Sequence, residues 1–224
     1  MAIDEQLGES DGANLVVCYS SHERGISKTM ADFLAPKNAN DSAAATRTLY
    51  FVDAMDRFPV KEFCEFLPPE EHHTLFENVR ILTSLDMDEF SRTVGQISRS
   101  TLALRSAHQR SPQDVPVPEV LVFVRGLDVI FRNTALKDQM HAHRSLKDAM
   151  LRLRMLGNAR EFPTRTIVLF PSQGQGPSPN TQNVVQPSQK RQKKLGNGAF
   201  QNYNSLAGYL TKFYADSVIS EPCC

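Results

Sequence analysis

Tryptophan is absent from this 224-residue chain, and cysteine occurs only four times. Cys18 and Cys64 sit inside apolar patterns while Cys223 and Cys224 end the sequence, with no CxxC pair and no Cys/His ligand spacing. That usage excludes a disulfide framework or a zinc module and points to a reducing compartment. Net charge is missing as well, since twenty-five basic residues cancel twenty-five acidic ones. Any basic surface must therefore be local, because the overall charge attracts no polyanion. No apolar run approaches the roughly eighteen residues of a membrane span. The acidic first ten residues also lack the apolar core of a leader. A cytosolic or nuclear protein with no membrane partner is expected.

Glycine is missing where a nucleotide site would need it. Between the apolar run Asn14–Tyr19 and the helical stretch Met30–Leu34 lies His22-Glu23-Arg24-Gly25-Ile26-Ser27-Lys28-Thr29, with His22 and Ser27 where a phosphate loop places its glycines. Those glycines let backbone N–H groups approach the phosphates, and the Lys and Ser/Thr that follow hold phosphate charge and Mg²⁺. Without them Lys28 and Thr29 read as ordinary helix-start residues. The second loss follows the most apolar run, Val120–Val124, where Arg125 occupies the place of the metal-binding Asp of a nucleotide hydrolase. Two such losses at the right points of one β/α succession imply a non-catalytic descendant of an ATPase fold, without cofactor, metal or catalytic residues. The pairs His72–His73 and His141–His143 have no further ligands at supporting spacing and read as surface histidines.

What is present is an alternation of short apolar runs with helical patterns. Leu15–Tyr19, Leu49–Val52, Val79–Leu82, Val120–Val124 and Ile167–Phe170 read as buried parallel strands. One helical stripe is Met87, Phe90, Val94, Ile97 and Leu104, with Asp86 and Glu89 placed to cap it. A second is Leu146, Ala149, Met150, Leu153 and Leu156, closed by Gly157-Asn158 in a left-handed turn. A third is Leu206, Leu210, Phe213 and Tyr214. This succession predicts an α/β fold, a doubly wound, mostly parallel twisted sheet with helices on both faces, and a RecA-like core is one of the few topologies it allows. The expected domain spans residues 14–219, with tails at 1–13 and 220–224. Residues 108–119 and 172–202 are expected to be loops, the latter rich in Pro, Gln, Asn and Ser before Lys190-Arg191-Gln192-Lys193-Lys194.

Several blocks carry a family resemblance: Tyr50–Ala54 with Phe58-Pro59, Phe76–Ile81, Val124–Asn133, Leu151–Asn158 and Tyr214–Ser217. In this order they resemble the chromosome-segregation-in-meiosis subunit of the fungal Shu complex, a recombinase paralogue, over roughly residues 14 to 219. The resemblance implies a RecA-like subunit without nucleotide-binding motifs that pairs with a second recombinase-paralogue subunit. Together they bind single-stranded and forked DNA. Two further Shu subunits complete the assembly, which promotes recombinase filament formation in homologous recombination and error-free damage tolerance, in the nucleus. The DNA-contacting stretch of the family corresponds here to Lys190, Arg191, Lys193 and Lys194, interrupted by Gln192 in a lengthened loop. Its Phe-Pro corresponds to Phe58-Pro59, where Phe58 docks the recombinase's mediator heterodimer.

Three plainer readings stand beside these. The basic cluster alone fits a solvated segment or an import signal, which would leave a protein-only scaffold of the same complex. Phe58 alone fits a core side chain, and Phe200 and Tyr203 beyond the cluster fit helix packing better than base stacking. The terminal Cys223-Cys224 fits a prenylated small GTPase, but the chain lacks an intact phosphate loop and a guanine-reading Asn-Lys-x-Asp segment.

Overall fold

The computed structural model describes residues 13–20, 23–36, 46–110, 115–159, 162–171 and 205–220. Strands β1 (Leu15–Tyr19), β2 (Thr48–Asp53), β3 (Val79–Thr83), β4 (Val120–Arg125), β5 (Thr164–Phe170) and β6 (Ser217–Ser220) form one sheet in the order β3-β2-β4-β5-β1-β6. Every pairing is parallel. Seven helices connect and cover the sheet among the described residues: α1 (Glu23–Leu34), α2 (Val60–Phe66), α3 (Pro69–Phe76), α4 (Met87–Gln109), α5 (Leu127–Ala135), α6 (Gln139–Gly157) and α7 (Leu206–Phe213). This is a RecA-like α/β core.

The central strands carry unbroken apolar runs, Leu15–Cys18, Leu49–Val52, Val120–Val124 and Ile167–Phe170, because both of their faces are covered there. Leu49, Phe51, Leu121 and Phe123 point towards α1, α2 and α3, whereas Tyr50, Val52, Val122 and Val124 point towards α4, α5, α6 and α7. Each such side chain taken from water stabilises the fold by about 1.5–3 kcal/mol. One residue ties the two ends of the described fold. The Asp216 carboxylate accepts the backbone N–H of Asn14 at 3.1 Å and of Leu15 at 2.9 Å, and it also receives Arg154 from α6 at 2.9 Å.

Several expectations need correction. Strand β3 is half open: Arg80, Ile81 and Thr83 are exposed because it is a sheet edge. Strand β6, with only Val218 and Ile219 apolar, is a short opposite edge that periodicity does not reveal. Helix α1 starts at Glu23, about two turns before Met30. Helix α4 runs to Gln109, into the segment expected as loop, and Glu119 at the far end of that segment is tied down through Arg47 and Thr48 N–H. Helix α6 does not end in a left-handed turn, since Asn158 is right-handed at φ −71°. Gly157 is needed for close packing instead, because a Cβ there would come within 2.4 Å of Asn14 Cβ. On α7, Leu210 is buried but Phe213 is 48% exposed.

Candidate functional site

The carboxyl ends of β1, β2 and β4 meet where a nucleotide-binding relative would hold its phosphates. Among the described residues no loop stands ready there, because Glu23 to Thr29 is continuous helix. Within it the Ser27 hydroxyl donates to Glu23 O at 2.9 Å and the Thr29 hydroxyl to Gly25 O at 3.0 Å, so both are spent on the helix itself. Lys28 pairs with Asp32 at 3.6 Å along the same helix. Ser27, Lys28 and Thr29, which would face phosphate in a working loop, each make a contact along their own helix.

Strand register then sets Arg125 beside Asp53, and Arg125 reaches across to α1. Its Nη2 meets Glu23 Oε1 at 2.8 Å and its Nη1 donates to the carbonyl of Arg57 at 3.0 Å. A carboxylate in the first turn of α1 occupies the positive end of the helix dipole, which a phosphate would otherwise use. The guanidinium in turn sits where a divalent cation would need a carboxylate. The next residue, Gly126, turns through φ +71°, and a Cβ there would lie 2.9 Å from Ala54 Cβ.

The same ion pair fixes the approach to Phe58. The buried Asp53 carboxylate accepts Arg57 N–H, Arg125 holds Arg57 O, and between them Asp56 adopts φ +54°. The turn delivers Phe58 half-buried, its ring edge-on to Phe51 at 5.1 Å and to Phe63 at 5.2 Å. Phe63 continues the row to Phe76 at 5.6 Å. On either side, Met55 and Val60 are 51% and 58% exposed. Phe58 is thus a half-buried packing residue flanked by exposed Met55 and Val60 as well as exposed Asp56 and Arg57, and its exposed neighbours are not evident from periodicity.

Lys190, Arg191, Lys193 and Lys194, with Phe200 and Tyr203, lie outside the described residues. Their anchoring points are described: β5 ends at Phe170, next to Tyr19 of β1, and α7 begins where Ser205 Oγ accepts Gly208 N–H at 3.1 Å. Strand β5 therefore ends on the same side of the sheet as the Glu23–Arg125 pair. The histidine reading changes in part. His141 Nε2 lies 2.7 Å from Asp88 Oδ1, and His143 is half-buried, packing against the Phe131 ring at 5.2 Å, where partial burial lowers its pKa. Among the described residues no cluster of three His, Cys, Asp or Glu side chains could hold a metal.

Blocks that are distant in sequence meet in this geometry. Arg125 touches the turn before Phe58, and Arg154 touches Asp216. Residues 15–215 match a family model described as the DNA-binding Shu complex component Csm2. Chromosome segregation in meiosis protein 2 of Saccharomyces cerevisiae is 31% identical over 180 residues, covering 76% of this chain and 82% of that protein. The protein of the same name from Candida glabrata is 31% identical over 183 residues, covering 77% and 80%. That from Eremothecium gossypii is 29% identical over 180 residues, covering 74% and 82%. The chain belongs to the Csm2 family of DNA-binding Shu complex components.

Proposed function

We propose that this chain is the non-catalytic subunit of a nuclear Shu-type heterodimer that binds DNA and promotes recombinase filament assembly during homologous recombination and error-free damage tolerance. The observation that carries the non-catalytic part is the Glu23–Arg125 ion pair, which fills the nucleotide position with a carboxylate where phosphate would sit. DNA is held through Lys190, Arg191, Lys193 and Lys194, whose cations attract phosphate oxygens with little base preference and release counterions. The partner is a second recombinase-paralogue subunit, and two further subunits complete the assembly.

Phe58 belongs to the surface that meets the recombinase's mediator heterodimer. Support comes from its surroundings, since exposed Met55 and Val60 flank the half-buried Phe58 on a braced turn. Truncating Phe58 would remove core packing as well as contact. Met55→Asp and Val60→Asp change the exposed patch alone, and they should weaken mediator capture while the melting temperature stays within a few degrees.

The DNA reading is tested by anisotropy of labelled single-stranded and forked DNA against salt, using co-expressed heterodimer. Changing all four basic residues to Ala should lower both affinity and salt slope, by about 0.7 per lost phosphate contact on single strands. Unchanged binding by an intact heterodimer would leave the chain as a scaffold whose partner holds the DNA.

A further inference from the structure

A second cationic feature lies in the described fold, away from the basic stretch. Arg99 on α4 and Arg152 on α6 converge over Gly95, where a Cβ would lie 3.7 Å from Nη1 of the first and 3.6 Å from Nη1 of the second. Both side chains are exposed, and neither has an acidic or hydrogen-bonding partner among the described residues. Gly95 is buried in mid-helix, where glycine costs about 1 kcal/mol relative to alanine. Two like charges over that floor repel each other, and a bound anion would relieve the repulsion.

The groove at this point opens to solvent and has a volume of about 830 Å³. Arg92 lines it too, with Ser91 and Gln96 as neutral hydrogen-bonding groups. Its one carboxylate, Glu89, is engaged with Leu85 N–H at 2.8 Å at the start of α4. Arg92 and Arg99 lie seven residues apart on one helix, about 10.5 Å at 1.5 Å per residue. That span is longer than a lone oxyanion needs and suits more than one phosphate along a strand. Among the described residues no aromatic ring lines the groove and Leu85 is its only large apolar side chain, so they offer neither the anchors that protein partners use nor a platform for stacked bases.

We propose that the groove between α4 and α6 is a second DNA contact, in which Arg92, Arg99 and Arg152 hold consecutive backbone phosphates without reading sequence. This rests on the DNA-binding reading above and extends it to the folded body of the subunit. The test uses the full chain co-expressed with its partner, labelled oligothymidylate and a salt series. Arg99→Gln with Arg152→Gln should lower the salt slope by about 1.4, at 0.7 per phosphate. Melting should be unchanged, because neither guanidinium is paired with an acid. Adding Arg92→Gln should lower the slope further. If the double variant keeps native affinity and slope while the four-residue Ala variant of the basic stretch loses binding, the groove is not a DNA contact and the DNA reading stands. Failure of the native complex to bind oligothymidylate would instead sink the DNA reading itself. Loss of polyglutamate binding with oligothymidylate binding retained would assign the groove to acidic polypeptide and overturn the proposal.

Discussion

At Gly126 a single hydrogen in place of a side chain allows β4 to turn into α5 against Ala54. The left-handed backbone costs a non-glycine residue about 1–2 kcal/mol, and the close contact adds to that. Gly126→Ala should therefore destabilise the fold by at least this amount, read as a lower denaturation midpoint. His143 gives a second expectation at this scale, because burial beside Phe131 holds its pKa below that of the free side chain. As pH falls through about 6.5, the unfolded chain takes up a proton that the native chain refuses, so stability falls on the acid side and is level above. Urea midpoints between about pH 5 and pH 8 should show this slope for the native protein and a smaller one for His143→Gln.

Among the elements, α4 shows how a helix can be fixed by its first turn. Asp86 accepts the N–H groups of Asp88 and Glu89 at 3.0 and 2.9 Å, and Glu89 returns to Leu85 N–H, as their spacing implies. Asp86→Ala should cost about 1 kcal/mol by denaturant unfolding. Gly95→Ala in the same helix should have the opposite sign and stabilise by up to about 1 kcal/mol, since its new Cβ meets only ordinary contacts near 3.6 Å. Elements with a strong apolar period were legible in the sequence: four central strands and the buried stripes of α4 and α6 stand where their patterns place them. Edge strands were not. Exposure in β3 and the shortness of β6 follow from strand order, which no local period encodes. Gly157 likewise answers to Asn14, a residue far away in the chain.

For the whole molecule, closure depends on Asp216, which holds Asn14, Leu15 and Arg154 together. Asp216→Ala should leave two backbone N–H groups and a guanidinium without their acceptor, costing about 1–3 kcal/mol and loosening β6 before the rest. Hydrogen exchange should show protection lost first at Ser217–Ser220. The candidate site was legible only in part. The lost glycines and Arg125 could be read directly, but Glu23 as the partner of Arg125 could not, because 102 residues separate them. Arg92, Arg99 and Arg152 escaped notice because a search for apolar stripes discards the exposed faces where they lie.

The Glu23–Arg125 pair also bears on time. In nucleotide-driven assemblies the departure of a phosphate frees a switch segment, and hydrolysis so sets how long each complex lasts. On the non-catalytic reading proposed above, a protein that closes its phosphate position with its own two side chains would carry no such clock. Its residence on DNA would be governed by concentration, ionic strength and competition, so that the complex persists until something displaces it.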